Sequence, residues 1–231
     1  MRMAVLVMAS ALVAGCSQDM KGAAVSAPPP LTAVTPGSSR PAPTSPPATS
    51  SATPSAAPHA PSVGAPIAEV TRWVDAGTAV PAATFGSTTR DGASTDVQGV
   101  AFTTETVSCI STAQYNDGAL ACLVKLTNPP PKPPDTYTMW KGNWVDFDGT
   151  GVNIGSLHGD PGPFGNGSGP QLGAGETVKF GDFACRADGD AVVCVNYAHR
   201  TAARMRPAGV DGFGCLAPAQ APPDIGIRLS C

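Results

Sequence analysis

Charge is scarce in this chain. Lys, Arg, Asp and Glu make up 13% of its 231 residues, against about 25% in an ordinary globular domain. The balance is mildly acidic, with 14 basic and 17 acidic residues and a formal net charge of −3. Binding nucleic acid needs a broad basic field that releases counterions, and none is present, which argues against that partner class. Aromatic residues are also few, at 6%. Histidine occurs three times, at His59, His158 and His199, in no spacing that suits a metal site. Cysteine is absent between Cys16 and Cys109. The opening apolar stretch, Met3–Ala14, has twelve residues. A bilayer-spanning helix needs about 20, so this stretch is too short to remain as one.

What is present at the start has the form of an export signal. Arg2 supplies a positive charge, the apolar stretch follows, and small residues precede Cys16. Val13-Ala14-Gly15-Cys16 resembles the bacterial lipobox, an aliphatic residue and two small ones before a cysteine. The resemblance implies that Cys16 receives a diacylglycerol and that a peptidase removes residues 1–15. The expected location is the outer face of the plasma membrane, with the membrane as a partner through that lipid.

The other six cysteines, Cys109, Cys122, Cys185, Cys194, Cys215 and Cys231, form an even set in the C-terminal part. In an exported chain such a set reads as three disulfides. Between them and Cys16 lies a stretch rich in Pro, Ala, Ser and Thr. Twelve of the 25 prolines fall between Ser17 and Pro66. With no large aromatic residue there, it cannot bury enough surface to offset the entropy of folding, so a disordered linker over 16–66 is expected. Some 50 residues of extended Pro-rich chain reach at most about 150 Å. The remainder, 67–231, is long enough for one domain with a real core.

That domain reads as mainly β. IAEVTRWVDAG places Ile67, Val70, Trp73 and Val74 on one helical face, with Gly77 as a stop. After Asp91-Gly92 come short strand-like runs separated by glycine turns, including VQGVAF, TVSCIS, ALACLVKL, NWVDF, GVNIG, TVKF and AVVCVNY. Such spacing predicts a disulfide-stapled β-sandwich or barrel-like domain with an N-terminal helix. CISTAQYNDGALAC turns at Asn116-Asp117-Gly118 and CRADGDAVVC turns around Asp188-Gly189. In each hairpin the two cysteines stand at similar distances from the turn, so Cys109–Cys122 and Cys185–Cys194 are the expected bridges. Exclusion leaves Cys215–Cys231.

VAFTTETVSC, ALACLVKL and LGAGETVKFGDFACRADGDAVVCVNY resemble a recurring layout of exported actinobacterial lipoproteins. NPPPKPPDTYTMWKGNWVDFDG, DPGPF and CVNYAHR bring the resemblance closest to mycobacterial members. It extends over Ile67 to Cys231 and implies a surface location without an established activity. The chain departs from the broader group after the second hairpin. A Thr-Gly-His-Gly-Phe segment is usual there, and Tyr197-Ala198-His199-Arg200-Thr201 stands in its place.

Four stretches carry candidate chemistry. SLHGDPGPFGNGSGP gathers His158, Asp160, Asn166 and Ser168, a potential base, orienting carboxylate and nucleophile. It lacks the Gly-x-Ser-x-Gly pattern, and its Gly and Pro also serve turn geometry. WVDFDGTG offers Asp146, Asp148 and Thr150 as a calcium-loop opening, but Leu157 stands where a bidentate Glu belongs, so a hairpin turn is the simpler reading. Arg200, Arg204 and Arg206 form a possible anion-binding cluster, or a solvated strand edge. NPPPKPPD, 128–135, reads as a stiff exposed connector, with Trp140 and Trp144 as core or rim. The expectation is a lipid-anchored envelope protein that is not an enzyme, needs no cofactor or metal, and binds an envelope lipid, glycan or protein. The alternatives are a cell-wall hydrolase or transferase using the His158–Asp160 loop, and a lipid or glycolipid carrier.

Overall fold

The computed structural model describes residues 59–134 and 139–231. Cys16, the expected lipid anchor, lies outside the described residues, as do the expected signal segment and the expected linker up to residue 58. The chain enters the domain earlier than residue 67. Pro61 is buried, and its carbonyl accepts a hydrogen bond from Arg204 Nη1 at 2.7 Å. The last residues of the expected linker are thus part of the domain.

Helix α1 (Ile67–Asp75) starts after Pro66 and carries Glu69 in its first turn, where a negative charge suits the exposed amides. Val70, Trp73 and Val74 are buried, the one-face spacing read from the sequence. Strand β1 (Thr78–Val80) follows, and then a two-stranded ribbon, β2 (Ser87–Arg90) and β3 (Ala93–Asp96). The ribbon turns at Asp91 and Gly92 with φ of 50° and 81°, the pair of positive values a tight two-residue turn requires. Next come β4 (Gly99–Thr103), β5 (Val107–Thr112), β6 (Leu120–Val124), β7 (Trp140–Phe147) and β8 (Gly151–Leu157). The run β9 (Glu176–Phe180), β10 (Phe183–Asp188), β11 (Ala191–Asn196), β12 (Thr201–Arg206) and β13 (Gly209–Phe213) follows. The chain ends with β14 (Ala217–Ala219) and β15 (Ile225–Ser230).

These strands make a mainly β domain with two large sheets. One has the order β1-β9-β10-β11-β12-β13, the other β14-β15-β8-β7-β6-β5-β4. Apart from β1, which runs parallel to β9, neighbouring strands in both are antiparallel. The main core is built by residues of both sheets, among them Phe102, Leu120, Val145 and Phe147 from one and Val178, Val192 and Met205 from the other. Alternation selects them, since every second residue of a strand faces the same side.

Three disulfides staple this frame, joining Cys109 to Cys122, Cys185 to Cys194 and Cys215 to Cys231. The first two link residues directly opposite each other on paired strands, one bridge in each sheet. All four of their cysteines belong to the main core, so the bridges fill it as well as closing it. The third ties the segment after β13 to the residue after β15. In the chain-entropy model each such loop contributes about 3 kcal/mol.

The outer faces are covered too. On the six-stranded sheet, α1 lays Val70, Trp73 and Val74 over Ala184, Val193, Val195 and Ala202. This explains why β11 is buried along its whole length and reads as an apolar run up to its last residue, Asn196. On the seven-stranded sheet, Ala101, Ile110, Ala121 and Trp144 are covered by Tyr115 and by Phe164 from the loop after β8. That loop is tied to the ribbon by the Thr89–Ser168 pairing and by Arg90 Nη1 to the Gly165 carbonyl at 2.8 Å. Gly167, with φ of 98°, permits the approach, because a Cβ there would stand 2.0 Å from the Thr89 oxygen.

The proline connector differs from its expected exposure. Pro130 is buried, and its carbonyl accepts a hydrogen bond from Trp140 Nε1 at 2.9 Å. The donor of a half-buried indole needs a partner, and a proline carbonyl supplies one.

Candidate functional site

In an antiparallel meander every second connection lies at the same end of the sheet. The β5–β6 and β7–β8 turns therefore share one end of the seven-stranded sheet, and the β9–β10 and β11–β12 turns share one end of the six-stranded sheet. Residues of all four turns line one open cleft of about 740 Å³. That volume falls within the range of small-ligand sites.

Aspartates dominate the cleft. Asp117, Asp146, Asp148 and Asp182 line it together with Asn153, Asn196 and His199, and no Lys or Arg does so among the described residues. Asp148 holds its own turn, its Oδ1 accepting from Thr150 N at 2.7 Å, Thr150 Oγ1 at 2.9 Å and Gly151 N at 2.7 Å. This is the hairpin reading of WVDFDGTG, with β7 and β8 on either side. Gly149 crosses between the sheets here. Its carbonyl accepts from Thr201 Oγ1 at 2.6 Å, and a Cβ on it would stand 2.7 Å from the Asn196 amide. Asn196 in turn accepts the His199 amide at 3.0 Å.

Asp146 is the most confined of the four. Its Oδ1 accepts from Trp144 Nε1 at 3.0 Å and Tyr115 OH at 3.3 Å. Burial nevertheless pushes its carboxyl above the ordinary range. The two hydrogen bonds oppose the rise, and the charge of Asp148 adds to it. Across the β7–β8 pair, Asn153 stands opposite Asp146, and its Oδ1 is buried without a hydrogen-bond partner among the described residues. The cleft thus offers acceptors in excess.

The His158 loop is arranged differently from a catalytic group. His158 stacks on Trp144 with ring centroids 3.7 Å apart and planes 28° from parallel. Its Nε2 is buried with no hydrogen-bond partner among the described residues. Burial lowers its pKa, the Lys141 cation lowers it further, and Asp160 opposes both. Asp160 Oδ1 accepts the Gly162 amide at 2.8 Å, which shapes the turn. Ser168 pairs through its backbone with Thr89. Each of the three residues of that alternative therefore has a structural role of its own, and Asn166 lines a neighbouring depression together with Tyr115.

The arginine cluster is divided between the interior and the surface. Arg204 stands directly opposite Asp211 on the β12–β13 pair. Its Nε and Nη2 both donate to Asp211 Oδ2, at 2.9 and 2.7 Å, and its third nitrogen donates to Pro61. Arg206 Nη2 donates to the same carboxylate oxygen at 3.1 Å. Two of the three guanidinium groups are engaged inside the domain, and only Arg200 remains exposed.

Asp117, Asp182, Asn196 and His199 were not singled out from the sequence as site residues. The signal was an aspartate at the tip of three alternate hairpins. A search of protein-family models, of curated proteins and of solved structures finds no match to the chain. Geometry and residue chemistry alone carry the functional reading.

Proposed function

We propose that this chain is a lipid-anchored, extracytoplasmic binding protein with no catalytic chemistry of its own. The observation that carries the binding role is the cleft, an open volume where four aspartates and two asparagines converge without a lysine or arginine among the described residues. Carboxylates and amide oxygens in such a place suit a ligand rich in hydroxyl or ammonium donors, and an envelope glycan has that character. The anchoring part rests on Val13-Ala14-Gly15-Cys16, and three disulfides suit an oxidising compartment. The His158 loop offers no base paired with a nucleophile, which disfavours the hydrolase alternative.

Both parts are testable in the native host. Metabolic labelling with an alkyne fatty acid should tag the wild-type chain and leave Cys16→Ala unlabelled. A labelled Cys16→Ala chain rejects the anchor. Native mass spectrometry of the purified wild type should show a retained donor-rich ligand. Asp117→Asn with Asp182→Asn, both at exposed positions, should lower its occupancy several-fold, and unchanged occupancy rejects the cleft as the site.

A further inference from the structure

A second concavity runs along the flank of α1, with the opposite electrostatic character. Helix residues Ile67, Ala68 and Thr71 and half-buried Tyr197 line it, in a volume of about 450 Å³. Arg72 and Arg200, both exposed, line the same groove. Neither has a carboxylate within ion-pair distance among the described residues. The one acidic residue of the groove, Asp75, is already occupied. Lys179 Nζ and Tyr197 OH both donate to its Oδ1 at 2.6 Å. Two uncompensated guanidinium groups beside an apolar wall are unexpected in a chain of net charge −3.

We propose that this groove binds a single long-chain fatty acid. Its acyl chain lies along Ile67, Ala68, Thr71 and the Tyr197 ring, and its carboxylate is held by Arg72 and Arg200. Arginine suits the head group because its planar fork matches a carboxylate. An extended peptide is the poorer occupant. Strand addition needs an unpaired sheet edge, and β11 is already paired on both sides, with β10 and β12. The site shares only Asn196 with the acidic cleft. It depends neither on the lipid at Cys16 nor on the cleft's ligand.

The test uses the full chain with Cys16→Ser, so that no attached lipid competes, and with its disulfides formed. Titration with cis-parinaric acid, an intrinsically fluorescent fatty acid, should saturate at one equivalent. Arg72→Gln with Arg200→Asn should weaken binding at least tenfold. Asparagine is chosen at 200 because the backbone there has φ of 54°, which it tolerates. The methyl ester of the probe should bind at least tenfold more weakly than the acid. Ala68→Trp, at an exposed helix position, should abolish binding while circular dichroism and Tm stay unchanged. The proposal is overturned by absence of saturation, by equal affinity for acid and ester, or by binding that survives Ala68→Trp. It is equally overturned if the groove instead supports self-association that Ala68→Trp removes.

Discussion

The two outer faces of the sandwich solve one problem in two ways. Each sheet has an apolar outer face with a tryptophan packed into it, Trp73 from the covering helix on one and Trp144 from the sheet itself on the other, and each tryptophan lies beside a basic side chain. On α1 itself, Trp73 faces Arg186 of β10, whose Cζ stands 4.0 Å from the ring centroid. Under the loop after β8, Trp144 is covered by His158 at 3.7 Å, with Phe164 edge-on at 5.1 Å. A guanidinium keeps its charge at every relevant pH, whereas an imidazole titrates near neutrality. The coverings differ in their backbones too. A helix satisfies its own peptide groups along its length. The loop is pinned from outside, by Thr89, by Arg90 and by Lys141 Nζ to the Asp160 carbonyl at 3.0 Å. One face is closed unconditionally and the other conditionally.

Removing each tryptophan should break the comparison most sharply. Trp→Ala in a core costs about 3–5 kcal/mol, and both variants should fall in that range. The difference lies in what comes loose. Without Trp144, which is fully buried, His158 and Phe164 lose their common platform and Asp146 loses a donor. Limited proteolysis of Trp144→Ala should therefore cut within residues 158–168. Trp73→Ala keeps Val70 and Val74 seated and should leave that loop intact. Equal cleavage of the loop in both variants would show that the two coverings are not independent.

Acidification should separate the faces by a smaller amount. Burial and Lys141 hold the His158 pKa below its ordinary 6.5, with Asp160 acting against them. The folded state thus resists a proton that the unfolded chain accepts. Stability contributed by neutral His158 is complete above pH about 6.5 and is lost as pH falls through the folded pKa. The wild-type Tm should drop on going from pH 7 to pH 5.5, together with a change in Trp144 fluorescence. His158→Gln should flatten both responses, and Arg186→Gln should alter neither slope. A pH response that persists in His158→Gln would assign it to another group.

Much of this frame was legible in the sequence because local signals and long-range contacts agreed. Val70, Trp73 and Val74 mark the helix face, and the cysteine pairs mark the registers of two hairpins. Legibility failed where a residue's local role hid its remote one. Asp117, Asp148 and Asp182 each sit in or beside a turn, which is explanation enough in one dimension. Only the connectivity of two sheets brings them together. The ribbon strands STTR and ASTD are polar on both faces and give no alternation. The TAARMR stretch reads as a charged surface because Asp211, seven residues beyond Arg204, becomes its opposite number only once β12 and β13 pair. His158 and Trp144 are joined only by folding of the loop back over the sheet.

The smallest expected effect concerns the carboxylate beneath the conditional face. Asp146 and Trp144 lie two residues apart on β7 and face the same side, so the indole donates to its near neighbour. A carboxyl raised by burial makes its largest contribution below its unfolded value near 3.8 and loses it as pH rises through the folded pKa. At pH 7 the charged form is therefore the costlier one to keep folded. Asparagine retains an oxygen for Trp144 Nε1 and Tyr115 OH and carries no charge. Asp146→Asn should change stability at pH 7 by no more than about 0.5 kcal/mol, leave Trp144 emission in place, and remove part of the variation of Tm between pH 7 and pH 4. Differential scanning calorimetry at the two pH values measures this directly. A loss of several degrees at pH 7 would mean that the negative charge, and not merely the acceptor, holds the loop-covered face together.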